Sequence, residues 1–224
     1  MAKKQAIRPL EQQDTKVLAL LAQKGGAGKS TIALHLAVLA QAEGHRTLLV
    51  DLDPQRSTAA WWRARTADTP ELVETEPDRL AEVIDAARAD GVALVVVDTR
   101  PSAERDAVTV ARLASLSLIP TRPSILDLRA IGATAELVRA TRQPGAIVLN
   151  ACPPGRGGAD APIVAEARHG LKAYGLPVVP VAIHQRADLA HALIDGRAVS
   201  EFAPTGKAAR ELRSLWRWAR ETMG

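Results

Sequence analysis

Several kinds of residue are scarce in this chain. Among 224 residues there are one cysteine, one tyrosine, one phenylalanine and four tryptophans. A single cysteine, Cys152, excludes an internal disulfide and suits a reducing compartment. It reads as a small buried residue at a strand end rather than a reactive thiol. No apolar run approaches the roughly 18 to 20 residues of a membrane span, so no transmembrane segment is expected. Met1 to Thr15 has no apolar stretch of the signal-peptide kind and carries Lys3, Lys4 and Arg8. It reads as a mobile polar tail, with a DNA-contacting arm as the alternative. A strong charge bias is also missing. The net charge of +4, with pI near 9.6, is compatible with nucleic acid or an anionic membrane and compels neither.

Apolar residues are plentiful. Hydrophobic residues make up 47% of the chain, enough for a globular α/β domain over residues 16–224 with a substantial core. The stretch Lys24-Gly25-Gly26-Ala27-Gly28-Lys29-Ser30-Thr31 organises that domain. It follows an apolar run, Val17 to Ala22, that reads as a buried strand, and precedes Ile32 to Ala42, which reads as a helix. Strand, glycine-rich turn and helix form the context of a phosphate-binding loop. Glycines let backbone N–H groups close around phosphate oxygens. The new helix adds unpaired N–H groups and a positive dipole end. Lys29 supplies a point charge for the β/γ-phosphates of ATP, and Ser30, with Thr31 beside it, supplies a hydroxyl for Mg²⁺.

The general pattern G-x-x-x-x-G-K-[ST] would place its first glycine at Gln23, and Lys24, Gly25 and Gly26 follow instead. This K-G-G-x-G-K-[ST] form resembles the deviant Walker A loop of the ParA/MinD family of ATPases. The resemblance implies that Lys24 reaches the ATP of a partner subunit across a nucleotide-sandwich homodimer. A second motif strengthens it. Thr47 to Asp51 reads as a strand that runs into Asp51-Leu52-Asp53-Pro54-Gln55, a D-x-D-P-Q sequence. Carboxylates at the carboxyl end of a parallel strand sit where open α/β sheets bind ligands. By the resemblance Asp51 lies near the Mg²⁺ shell and Asp53 positions the attacking water. Many relatives have glycine where Arg56 stands.

Val92 to Asp98 is the strongest strand signal, an apolar run ending in the acid of a Walker B segment, with Asp98 holding Mg²⁺ through water. Thr99-Arg100-Pro101 departs from the family's D-x-P-P. Ser57 to Ala67 reads as a helix whose Trp61 and Trp62 suggest packing, in the core or at a dimer interface, rather than base stacking. Leu72 to Thr75 reads as a short edge strand. Helices are expected over Pro77 to Asp90, Ala103 to Ala114, Leu126 to Arg142 and Ile163 to Ala173. Strands are expected over Leu116 to Pro120, Ala146 to Asn150 and Val178 to Ile183. In family members an Asn at the end of such a strand contacts adenine, which makes Asn150 a base-contact candidate. Strands and helices alternate throughout. That order predicts a doubly wound, mostly parallel sheet with helices on both faces.

Thr205 is the expected N-cap of a last helix. At 100° per residue Ala209, Leu212, Leu215, Trp216, Ala219 and Met223 share one sector, and Lys207, Arg210, Arg213, Arg217 and Arg220 the next. The amphipathic helix packs on the sheet with solvated arginines, presents its basic face to DNA phosphates, or lies on a membrane surface as in MinD-type relatives. Arg186 and Arg197 are candidates to extend a DNA-facing patch. The resemblance, most like the short ParA-type partition ATPases, implies a cytoplasmic, nucleoid-associated ATPase. It would dimerise on ATP, hold non-specific DNA and position plasmid or chromosome cargo with a ParB-like activator protein. A MinD-like membrane-surface ATPase, a positioner of protein cargo and a P-loop enzyme acting on a small metabolite are the alternatives.

Overall fold

The computed structural model describes residues 14–101, 104–155 and 159–224. The basic residues of the N-terminal stretch and Arg156 of the Pro/Gly-rich loop lie outside them. Six strands are joined through helices: β1 (Lys16–Leu20), α1 (Lys29–Ala42), β2 (Thr47–Asp51), α2 (Ser57–Arg63), β3 (Glu71–Glu74), α3 (Leu80–Ala89) and β4 (Leu94–Asp98). Then come α4 (Glu104–Leu113), β5 (Leu116–Thr121), α5 (Ile125–Thr141), β6 (Gly145–Leu149), α6 (Pro162–Leu171), α7 (Ala187–Leu193), α8 (Val199–Phe202) and α9 (Lys207–Met223). The sheet order is β3-β2-β4-β1-β5-β6 and every pairing is parallel.

The strands are continuous apolar runs because both faces of the sheet are covered. Successive side chains point to opposite faces. Leu18 and Leu20 of β1 and Val96 of β4 therefore join the core under α1, α8 and α9. Val17, Ala19, Val95 and Val97 join the core under α3, α4, α5 and α6. Helix α1 is apolar almost all round, and its residues from Ile32 to Ala40 are all buried. It lies between the sheet and α9, whose Ala209, Leu212, Leu215, Trp216 and Ala219 close over it.

The expected last strand is not a regular one. Val178 to Ile183 runs beside β6 with scattered bonds, Val179 N–H to the Ile147 carbonyl and Ile183 N–H to the Leu149 carbonyl, both 2.9 Å. Pro180 removes a donor in the middle of that segment, and Pro177 another at its start, so no ladder forms. The helix expected to reach Ala67 ends at Arg63. The helix expected from Pro77 opens as a 3₁₀ turn, Pro77–Arg79, before α3. Thr205 is not a cap: Gly206 takes that position and no side chain bonds there. The tryptophans do pack in the core. Trp61 is buried and donates to the Arg197 carbonyl at 3.2 Å, and Trp62 donates to the Pro70 carbonyl at 2.7 Å. Cys152 is buried too, and burial pushes its thiol up to about 12.

Candidate nucleotide site

The carboxyl ends of β1, β2, β4 and β5 converge on the loop between β1 and α1. Helix α1 begins at Lys29, earlier than the apolar pattern suggests, so the free N–H groups of its first turn belong to Lys29, Ser30 and Thr31. Gly26 and Gly28 have φ of +73° and +93°, a region that L side chains rarely occupy. At Gly28 space forbids a side chain as well: a Cβ would lie 2.1 Å from Asn150 Nδ2. Asn150 donates that amide to the Ala27 carbonyl at 2.7 Å and so props the loop from below. The structure thus brings Asn150 to the cleft, with its amide nitrogen engaged by the loop.

The cleft above the loop has a volume of about 880 Å³, ample for a nucleotide. Lys29, Ser30, Thr31 and Asp53 line one part of it, and Gln185 and Leu189 another. Lys29 is buried. Desolvation lowers its pKa, and the charges of Asp98 and Asp53 oppose that shift.

Asp51 and Asp98 are register partners on neighbouring strands, yet their environments differ. Asp51 accepts the N–H of Asp53 on Oδ1 and that of Ala59 on Oδ2, both at 2.9 Å. Asp51 thereby ties the loop after β2 to the first turn of α2 and shapes that loop. Burial raises its pKa, and those two bonds resist the shift. Asp98 accepts Thr58 Oγ1 on Oδ2 at 2.7 Å, whereas its buried Oδ1 has no partner among the described residues. Burial pushes the Asp98 carboxyl up to about 6, against the Thr58 and Ser30 hydroxyls and the Lys29 charge. An orphaned carboxylate oxygen beside a hydroxyl suits a hard cation that takes oxygen ligands. Among the described residues no group of three or more His, Cys, Asp or Glu could hold a metal.

Asp53 caps its own turn, accepting the Gln55 N–H on Oδ1 at 2.9 Å. Arg56, three residues on, sits at φ 52°, the left-handed conformation that a glycine adopts without strain. It is tethered to Glu74, which it shares with Arg63. Arg100 pairs with Asp106. Lys24, exposed at the lip of the loop, is turned onto α5, where Nζ meets Asp127 Oδ1 at 2.5 Å. Thr58, Arg122 and Asp127 escaped the sequence reading. Ser124 and Asp127, three residues apart at the start of α5, carried a capping signal, since the Ser124 side chain accepts the Asp127 N–H. Nothing local linked Asp127 to Lys24, 103 positions away.

The proposed DNA residues are scattered. Arg186 lines the nucleotide cleft and meets Glu211 at 2.5 Å, so it does not extend an outer patch. Arg197 pairs with Asp195, with its guanidinium 4.9 Å over the Phe202 ring. Arg220 pairs with Glu43 at 2.7 Å. Arg210 and Arg213 donate to the carbonyls of Thr205 and Pro204. Lys207, Arg210 and Arg217 are exposed on the outer face of α9. The apolar face of that helix is core, so it is not a detachable membrane surface. No helix among the described residues is long and apolar enough to cross a membrane.

A parallel sheet with a glycine loop feeding a buried lysine and a helix N-terminus defines a P-loop nucleotide-binding protein. The family model of the CobQ/CobB/MinD/ParA nucleotide binding domain matches residues 18–199, and the chain belongs to that family of nucleotide-binding ATPases. It is 35% identical to maintenance of carboxysome distribution protein A of Gloeobacter kilaueensis, covering 93% of this chain and 94% of that protein. It is 27% identical to the chromosome-partitioning ATPase Soj of Thermus thermophilus, covering 88% and 92%. The fold matches that of Pyrococcus horikoshii MinD complexed with Mg-ADP, with a TM-score of 0.72, 18% identity and coverage of 94% and 98%.

Proposed function

We propose that this chain is a ParA-like ATPase that closes into a homodimer on ATP, holds non-specific DNA and positions a cargo. The observation that carries the reading is Lys29, buried at the cleft between Asp98 and Asp53. Lys29 and the first-turn N–H groups of α1 bind the β/γ-phosphates. Ser30 and the orphaned Asp98 oxygen hold Mg²⁺, which supplies charge neutralisation on the phosphates when bound. Asp53, on the loop that Asp51 shapes, orients the attacking water. Lys24 leaves Asp127 and reaches the partner subunit's nucleotide. A ParB-like activator completes this arrangement, and hydrolysis releases the dimer.

The basic face of α9, carrying Lys207, Arg210 and Arg217 with Arg213 at its margin, meets DNA phosphates on the nucleoid. One face binds weakly, and two joined by nucleotide raise the effective concentration. Protein cargo is the second reading, favoured by the full-length likeness to a carboxysome distribution protein. Retention on random-sequence DNA and on anionic liposomes, with ATP, ADP or no nucleotide at two salt concentrations, tests the reading. ATP-specific, salt-sensitive retention on DNA is expected. Retention on liposomes alone returns the protein to a MinD-like role, and retention on neither removes DNA from the cycle. Lys24→Gln should leave nucleotide binding by the monomer intact and abolish the ATP-dependent dimer. A variant that sediments as a dimer like wild type defeats the crossing role of Lys24.

A further inference from the structure

Arg122 belongs to no motif of the loop or of the acidic strand ends. It follows Thr121, the buried last residue of β5, and precedes the buried Pro123, so its backbone leaves a rigid base. The main chain there is fixed from the other side, where Asn150 N–H donates to the Thr121 carbonyl at 2.8 Å. Its side chain arches over the phosphate loop, and Nη2 donates to the Gly26 carbonyl at 2.7 Å. Among the described residues that neutral oxygen is its single hydrogen-bond acceptor. Arg122 lines the same cleft as Lys29, Ser30 and Asp53. At this lip Lys24 and Arg122 face one carboxylate, Asp127, which Lys24 already occupies.

A guanidinium resting on one carbonyl keeps most of its N–H donors free. The lip therefore carries a surplus positive charge with a planar fork suited to phosphoryl oxygens. We propose that Arg122 is a second cationic contact to the terminal phosphate of ATP, one that makes the cleft discriminate ATP from ADP. The inference rests on the nucleotide-binding role proposed above. Lys29 and the α1 N-terminus hold the β-phosphate, which both nucleotides possess, together with the γ-phosphate of ATP. Arg122 is exposed at the cleft that Lys29, Ser30 and Asp53 also line, and it would add its charge to the terminal phosphate.

The test is equilibrium binding of Mg²⁺-ADP and of Mg²⁺ with a slowly hydrolysed ATP analogue to wild type, Arg122→Ala, Arg122→Gln and Arg122→Lys. Thermal unfolding of each variant is followed in parallel. Arg122→Ala should weaken the ATP analogue about tenfold or more, the size of a lost charge-assisted hydrogen bond, and ADP less than twofold. Arg122→Lys should recover part of the difference. Equal losses for both nucleotides would overturn the proposal and assign Arg122 to loop shape through Gly26. Unchanged binding of both would overturn it as well. If Arg122→Ala does not fold, the Gln and Lys variants carry the same comparison. Wild type that bound neither nucleotide would overturn the function reading itself, whereas wild type binding both with an unaltered ratio in the variants would sink the Arg122 role alone.

Discussion

The ends of β2 and β4 present the same residue at the same level of the sheet, and the two acids perform different work. Asp51 has each oxygen closed by a backbone N–H, and Asp98 keeps one oxygen orphaned in the interior. Registry put them side by side, and the loop that follows each strand separated their roles. The chain after β2 turns back at once, so the N–H groups of Asp53 and Ala59 cap Asp51. The chain after β4 instead sends Thr99 Oγ1 to the Leu20 carbonyl at 2.6 Å, and no backbone N–H reaches Asp98 Oδ1 among the described residues. A carboxylate is a structural clasp where its own loop satisfies it. It is a ligand in waiting where the fold leaves it unsatisfied.

The sharpest way to break this contrast is to neutralise each acid. Asp98→Asn should lower kcat for ATP hydrolysis by about 100-fold or more, by removing the charge proposed to hold Mg²⁺, while leaving the nucleotide-free protein at least as stable as wild type. Asp51→Asn should do the reverse. Its amide NH₂ would face a backbone N–H, at a cost on the order of 1–3 kcal/mol in unfolding free energy, with a smaller loss of turnover. Steady-state kinetics and denaturant unfolding on both variants decide it. If both lose activity and stability alike, the two acids form one functional unit. Thr58→Val comes next. It leaves the second Asp98 oxygen unpaired as well and should cost about 1–2 kcal/mol, with turnover falling less than in Asp98→Asn.

Acid titration sharpens the contrast from another side. Asp98 titrates near 6 when folded, above its ordinary value of 3.8, so it contributes a stability that fades as pH rises through that window. His35, fully buried on α1, is pushed down to about 3 by desolvation, against the opposing charge of Glu201. The unfolded chain takes up that proton first, so His35 contributes a stability that fades as pH falls below 6.5. Between about pH 4 and 6 the two slopes oppose, each at roughly 1.4 kcal/mol per pH unit at most. Toward the acid end of that window the lowered carboxyls of Glu201 and Glu211 add to the His35 slope, so the unfolding free energy of wild type should fall there. Asp98→Asn should lose stability more steeply toward acid than wild type, and His35→Gln less steeply. A steep wild-type slope in that window, unchanged by either substitution, would separate these groups from the titration.

The smallest effect concerns Arg56. Glycine at a left-handed position relieves roughly 1 kcal/mol that any L side chain keeps, and the exposed pair with Glu74 is worth at most about that much. Arg56→Gly should stay within about 1 kcal/mol of wild type and exceed Arg56→Ala by about 1 kcal/mol. Equal stability of the Gly and Ala variants would show that the left-handed turn is not retained in solution.

Much of the fold was legible because it is written in local patterns. The buried strands are apolar runs, and the phosphate loop is a glycine signature between a strand and a helix. Lys29 and Ser30 line the cleft, and the buried Asp98 lies close to both. Contacts across long sequence separations were not legible. Asp127 on Lys24, Thr58 on Asp98 and Arg122 on Gly26 join segments that no periodicity connects. Asp51 shows a subtler limit. Its position at the strand end was clear, but its role depended on backbone N–H groups that carry no side-chain signature. The segment from Val178 to Ile183 read as a strand by apolar content, and the prolines within and before it decided otherwise. The basic sector of α9 was correctly phased, but which arginines are held by Glu43 or nearby carbonyls depends on neighbours distant in sequence.

The closure of α9 over α1 bears on how the protein can be cut. Helix α9 is the outer wall of the rod whose first turn forms the phosphate site, and Trp216 and Arg220 both clasp Glu43 just past the far end of that rod. A gene shortened before Lys207 would strip a wall from α1 and expose its leucines. Its product would lose nucleotide binding and solubility together, and with them any DNA retention of the proposed kind. Loss of DNA retention in such a truncation would therefore say nothing about charge. Only point changes such as Arg217→Glu, which leave the wall standing, can isolate what the outer face contributes.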